Sequence, residues 1–236
     1  CIKRKVRIIM GAYVGPDIVN DGLAFWFDVA NPKSYPGSGT TITNLIPEAE
    51  NLTIINAVVD NNVIDFDGVD DRLTFSSTTF SSTYTISMWH KARISAPSST
   101  DPYGFGYLFS QDNTKGLALS EGGTHQQIDP GEYYYYNGSI AIPISTVTAQ
   151  NEVWGYISII FNTSSNQVKF YFNGVLNQTT TISSGIGNIY NQIGRWRATS
   201  PYWYLNGQIG PSYIYNKELS QAEILQNYNA LKPRFI

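Results

Sequence analysis

The chain is 236 residues long, 42 % apolar and only 14 % charged, with a formal net charge of −3. That length and apolar content allow one large core, and β sandwiches of about 200 to 250 residues commonly form a single domain. The single Cys1 excludes an internal disulfide and any cysteine-based zinc or redox motif, and no apolar run reaches the roughly 18 residues that a bilayer span requires.

Abundant Asn, Ser, Thr, Gly and Tyr suit many short strands joined by polar turns rather than a helical bundle. Charge is uneven from the first residues. Lys3, Arg4, Lys5 and Arg7 put four of the fifteen basic residues in the first nine positions, so the remainder carries eleven basic against eighteen acidic side chains, a net of −7. The arm reads as a dispensable tail, with Met10 as an alternative start, or as a docking arm for an acidic partner. Residues 1–19 are read as arm and lead-in, and residues 20–236 as one domain. Nucleic-acid binding is not expected, because outside the arm basic residues interleave with aromatics only at Arg195-Trp196-Arg197.

Asn20-Asp21-Gly22 turns into the apolar run Leu23 to Phe27. Val63, Ile64 and Phe66 close a strand, Phe66-Asp67-Gly68-Val69-Asp70-Asp71 reverses the chain in solvent, and Leu73 and Phe75 re-enter the core. Tyr84 to Trp89 alternates as a half-buried strand with Ile86 and Met88 on one face, while Ser95 to Pro102 and Gln111 to Asp129 read as long loops. In Tyr133-Tyr134-Tyr135-Tyr136 the two-residue period sends Tyr133 and Tyr135 to one face and Tyr134 and Tyr136 to the other.

Toward the C-terminus, Asn173-Gly174 and Asn206-Gly207 each separate two apolar runs and predict type I′ hairpins. Ser220-Gln221-Ala222-Glu223 is a capping box, after which Ile224, Leu225, Tyr228 and Leu231 share one helical face until Pro233 stops the helix.

Phe66 to Asp71, Thr85 to Trp89, Phe170 to Leu176 and the ending Gly207-Gln208-Ile209 through Ile214-Tyr215-Asn216-Lys217-Glu218-Leu219-Ser220-Gln221-Ala222-Glu223-Ile224 resemble laminin-G-like members of the concanavalin A-like lectin and glucanase superfamily. The likeness covers roughly residues 22 to 228 and implies an all-β, two-sheet antiparallel jelly roll with one short C-terminal helix. Leu23 to Asp28, Ala30 to Thr40 and Gln226 to Phe235 further resemble jelly-roll proteins of tailed bacteriophages. That narrower resemblance implies a virion component on capsid, tail or fibre, with other virion proteins and further copies of the chain as partners.

The chemistry expected of such a fold is tested against the residues. A retaining glucanase of the superfamily carries E-x-D-x-x-E, holding two carboxylates about 5 Å apart. No such spacing occurs here, and no nucleophile elbow accompanies His90 and His125, so the chain is expected not to be an enzyme. The superfamily often holds a structural calcium ion, for which Asp67, Asp70 and Asp71 are weak candidates. Calcium takes about 6 to 8 oxygens, and Gly210-Pro211 stands where relatives often supply an acid, so no metal is expected.

Aromatic side chains are the candidates for ligand or interface contact. Trp196 faces Tyr202-Trp203-Tyr204 across a loop as a solvent-facing platform, joined by Tyr134 and Tyr136. Flat rings stack on sugar C–H faces while nearby amides bond hydroxyls. The resemblance thus implies a non-enzymatic structural or adhesive virion domain, in which the aromatic residues form either an assembly interface, the favoured reading, or a platform for host-surface glycans. The alternative is a bacterial extracellular carbohydrate-binding module.

Overall fold

The computed structural model describes residues 17–94, 104–111, 114–121, 130–183, 185–196 and 203–236. The strands of its first sheet are β1 (Leu23–Phe27), β4 (Val58–Asp60), β5 (Val63–Asp67), β7 (Thr83–Ala92), β12 (Trp154–Asn162), β13 (Gln167–Phe172), β14 (Val175–Thr181) and β16 (Asn206–Tyr215). The second sheet holds β2 (Thr41–Ile42), β3 (Leu52–Ile55), β6 (Arg72–Thr79), β8 (Phe105–Gln111), β9 (Lys115–Ser120), β10 (Tyr133–Tyr136), β11 (Ala141–Pro143) and β15 (Ile189–Ile193). All pairings are antiparallel among the described residues, in the orders β14-β13-β12-β7-β16-β5-β4, with β1 also on β16, and β11-β10-β9-β8-β15-β6-β3-β2. The expected two-sheet sandwich with one helix, α1 (Gln221–Phe235), is present.

Alternation builds the core. Ile86 and Met88 of β7, Ile157, Ile159 and Phe161 of β12, and Ile209 and Ile214 of β16 point inward against Leu117, Leu119, Tyr133 and Tyr135 of the second sheet. The turn at Phe66 to Asp71 lies between β5 and β6, so it carries the chain from one sheet to the other. Gly68 has φ +80°, which an L side chain tolerates poorly.

Several elements differ from the sequence reading. Strand β7 is buried on both faces rather than one, because α1 covers its outer side, where Trp89 packs with Ile224 and Tyr228. Asn206-Gly207 begins β16 instead of turning a hairpin. Asn206 pairs with Asp67 and donates its N–H to Glu121 Oε1 at 2.8 Å, and a Cβ on Gly207 would lie 2.5 Å from the Lys91 carbonyl oxygen. Glycine is needed there for strand approach, not for a turn. By contrast, Asn173 and Gly174, at φ +48° and +82°, do turn between β13 and β14. Lys115–Ser120 is a strand inside the stretch read as loop, paired with both β8 and β10. Residues 95–103 and 122–129 lie outside the described residues.

The helix starts as expected, with the Ser220 capping box formed, but Pro233 lies within its last turn. Proline there removes one N–H, and α1 continues because Arg234 and Phe235 are held from the sheet side. The Arg234 guanidinium donates to both Asp28 oxygens at 2.7 and 3.1 Å, and Phe235 stacks on Trp89 at 4.6 Å. Leu225 is 42 % exposed and leaves the buried face, which Ile224 and Tyr228 provide. Residues 17–19 pack onto the helix: Val19 N donates to Asn227 Oδ1 at 2.8 Å, and the Val19 carbonyl accepts from Tyr215 Oη.

Polar bonds cross the core. Tyr84 and Tyr190 hydroxyls meet at 2.7 Å, and His90 Nε2 meets Tyr133 Oη at 2.5 Å. Each joins a strand of one sheet to a strand of the other, and burying such groups is tolerable only because they pair. Burial lowers the His90 pKa from its ordinary 6.5 to about 4. The unfolded chain therefore binds more protons between these values, so the stabilisation present above pH 6.5 is lost as pH falls toward 4, on the order of 3 kcal/mol in total. Urea unfolding at stepped pH should show this decline, and His90→Gln, which can still bond Tyr133, should flatten it between pH 6.5 and 5.

Candidate functional site

The outer face of the second sheet carries the aromatic residues singled out in the sequence. Tyr107 of β8, Ala118 of β9 and Tyr134 of β10 share this face with Trp196 and Trp203. Trp196 and Trp203 stand in facing positions, since Arg195 bridges Tyr204 and Trp196 N donates to the Trp203 carbonyl at 3.2 Å. Their rings stack at 4.4 Å with planes 10° apart, and Tyr107 stacks on both at 5.5 and 6.2 Å.

The expected solvent-facing platform is thus a packed cluster. Trp196 is 1 % exposed and Trp203 9 %, because the rings shield one another. Tyr134 is buried too, with its hydroxyl donating to Glu132 Oε2 at 2.5 Å. Tyr136, edge-on to Trp196 at 4.7 Å, and Tyr204 are half-buried. The alternation in the tyrosine run is as read: Tyr133 and Tyr135 enter the core, and Tyr134 and Tyr136 the outer cluster. Tyr202 lies outside the described residues, as do Lys3, Arg4, Lys5 and Arg7.

Asp67, Asp70 and Asp71 do come together, with ligand atoms all within 4.8 Å of one another. Two of the three carboxylates already serve the turn: Asp71 accepts from Asp67 N, and Asp67 from Val69 N, each at 2.8 Å. Burial, reinforced by the Asp67 and Asp70 charges, raises the Asp71 pKa above its ordinary value. Gly210 packs against Phe235 and Trp89 on the outer side of the first sheet. Three carboxylates, two of them committed to backbone N–H groups, fit a self-closing turn and fall short of the roughly 6 to 8 oxygens that calcium takes.

A second feature was not singled out in the sequence. Where α1 ends, the outer face of the first sheet opens into a groove of about 380 Å³. Its apolar wall is Trp154, at the start of β12, and Phe235, with ring centroids 4.6 Å apart. Amides rim it: Gln208 of β16, and Asn61 and Asn62, which make the turn between β4 and β5 at φ +49° and +66°. Lys91 of β7 and Arg234 of α1 supply two cations.

Ion pairs orient these groups from behind. Lys91 Nζ lies 3.4 Å from Glu152 and 5.7 Å from the centre of the Trp154 ring, and Arg234 is held by Asp28. Gln208 Nε2 donates to Asp65 Oδ2 at 2.6 Å, and the Arg93 guanidinium on the same carboxylate holds Asp65 below its ordinary pKa. The local sequence signals were weak: Asn61-Asn62 is a hairpin turn signal, and Lys91 follows Trp89 on the strand period. That these residues meet follows only from sheet order.

Three outcomes are expected. Trp203→Ala should lower stability by about 3 to 5 kcal/mol in denaturant unfolding, the cost of deleting a buried large aromatic, rather than leave folding intact. A chelator should leave the melting temperature unchanged. Asp71→Asn, which keeps an acceptor for Asp67 N and removes repulsion, should melt at or above the wild-type temperature at pH 7.

No curated protein matches the chain in sequence. Among solved structures, Trypanosoma rangeli sialidase with 2,3-difluorosialic acid superposes with a TM-score of 0.63 at 15 % identity, covering 91 % of this chain and 34 % of the sialidase. The chain thus spans about a third of that enzyme. The binding domain of botulinum neurotoxin DC in complex with SialylT gives a TM-score of 0.61 at 13 % identity, over 90 % of this chain and 52 % of that one. Domain 4 of an extracellular arabinanase from Geobacillus stearothermophilus, in complex with arabinotriose, gives 0.63 at 14 %, over 87 % and 98 %. At such identities the likeness is one of fold. A laminin-G-type family model matches residues 67–225, and with that match the chain belongs to the concanavalin A-like lectin/glucanases superfamily.

Proposed function

We propose that the chain is a non-enzymatic glycan-binding jelly roll, an adhesive component of a tailed-bacteriophage virion, which takes a sugar in the groove beside Trp154. The groove supports this reading by its make-up: an aromatic wall of Trp154 and Phe235 faces the amides of Asn61, Asn62 and Gln208 in a space of about 380 Å³. Rings of this kind cover the C–H face of a pyranose, and amides both donate to and accept from its hydroxyls. The arabinotriose-bound arabinanase domain, of nearly the same extent, is in keeping with sugar binding by such a fold.

The carboxylates around the groove favour binding over hydrolysis. Asp65, Asp28 and Glu152 are all ion-paired, and Asp65 is held ionised, whereas a glycosidase needs a carboxyl with raised pKa to protonate the leaving group. The virion setting, with other virion proteins and further copies of the chain as partners, rests on the resemblance of Leu23 to Asp28, Ala30 to Thr40 and Gln226 to Phe235 to phage jelly rolls. A bacterial extracellular carbohydrate-binding module would use the same groove.

A glycan array probed with the full chain should give saccharide signals. Trp154→Ala, and Asn62→Gly, which keeps the left-handed turn, should each weaken binding at least about tenfold, equivalent to roughly 1.4 kcal/mol. Binding undiminished in both variants would place the sugar elsewhere, and an array without signal would rule out the function.

A further inference from the structure

We infer that the groove selects sugars carrying an acidic group, a carboxylate or sulfate, over their neutral counterparts. This rests on the reading of the groove as a sugar site and adds the chemistry of its ligand. Among the described residues Lys91 and Arg234 both line the groove and no carboxylate does, although the chain as a whole is net acidic. The carboxylates bonded to lining residues, Glu152 and Asp28 on the two cations, Asp65 on Gln208 and Asp60 on Asn61, all stand outside the lining.

These pairs leave donors for a ligand. The Arg234 guanidinium has five N–H groups and its bonds to Asp28 engage one from each terminal nitrogen; the Lys91 ammonium has three and sits 3.4 Å from Glu152, a loose pair whose acid is half exposed. A cation fixed by a partner keeps its geometry for an incoming anion and needs little reordering on binding. The carbonyl ends of α1 carry partial negative charge, which would oppose an anion, but Lys232 and Arg234 occupy the last turn and offset it. The ligand therefore presents its ring to Trp154 and Phe235, its hydroxyls to the amides, and its acid to Lys91 and Arg234.

A matched pair of sugars isolates the acidic group: methyl β-glucuronide and methyl β-glucoside share a ring and differ at C6 as carboxylate against hydroxymethyl. Titrated into the full chain and followed by the Trp154 indole NMR signal, the glucuronide should bind at least about tenfold more tightly than the glucoside. Its affinity should fall as salt rises from 20 to 500 mM while that of the glucoside holds, since screening acts only on the charge. Lys91→Gln should shrink the difference several-fold and Lys91→Arg restore it, with unchanged melting temperatures showing that both fold. A methyl sulfated glucoside tests the second acidic group.

Equal binding of the two glycosides, both lost in Trp154→Ala when the titrations are read by calorimetry, would overturn the selectivity and leave the sugar site standing. No binding of either would overturn both readings. Acetate or inorganic sulfate shifting the indole signal as strongly as the glucuronide would show an adventitious anion site and overturn the assignment to sugars.

Discussion

Trp89 leaves the middle of β7 on the outer side of the first sheet and lies between the rings of Tyr228 and Phe235, stacked at 5.6 and 4.6 Å. Tyr156 of β12 closes on it at 5.4 Å. An antiparallel sheet can leave one face to solvent, but the centre of this outer face is covered, because the indole demands cover over a large apolar area. The helix supplies that cover, and its position follows from the stack. Its first turn is set by the Ser220 capping box and its last by Arg234 on Asp28. Everything on the outer side of the first sheet is arranged around that contact, including the place where the cover ends.

The groove is a consequence of this ending. Along β7 the outer residues run Thr85, Ser87, Trp89, Lys91; the segment leading into α1 bonds Thr85, and the helix itself packs on Trp89. Thr85 takes part in the chain's approach to α1 by accepting from Leu219 N, and Ser87 pairs with Ser158 of β12. Beyond Trp89 the face changes from apolar to polar, at Lys91 and Gln208, and the end of the helix adds Arg234 and Phe235. Arg234 therefore fastens α1 to Asp28 and presents a cation to the groove at once, so the stability of the helix end and the electrostatics of the groove are coupled through one side chain.

The second sheet solves the same covering problem without a helix. Its outer face carries Phe105, Tyr107, Tyr134, Trp196 and Trp203, and the rings bury one another, with the arms joined at Arg195 and Tyr204 bringing both indoles onto Tyr107. Stacking at 4.4 Å consumes the faces that a sugar would need. Inside, the two sheets are tied by Tyr84 to Tyr190 and by His90 to Tyr133, polar contacts that fix how the layers face each other while the apolar residues around them supply most of the burial.

Sequence alone determined the elements whose signals are local. The two-residue period of Tyr133 to Tyr136 placed each ring on its face, Asn173-Gly174 turned where its left-handed backbone preference required, and Ser220 with Glu223 started the helix, because these depend on a few neighbouring bonds. It could not tell that Asn206-Gly207 begins a strand, since the reason is a carbonyl of Lys91 far away in the chain, nor that Pro233 would not end α1, since Asp28 and Trp89 hold the last turn. The exposure of Trp196 and Trp203 turned on Tyr107, a partner invisible to spacing. The groove is the extreme case: Asn61, Lys91, Trp154, Gln208 and Arg234 come from five separate stretches, and only the order of β5, β16, β7 and β12 in one sheet, with the helix laid across it, brings their chemistry to one place.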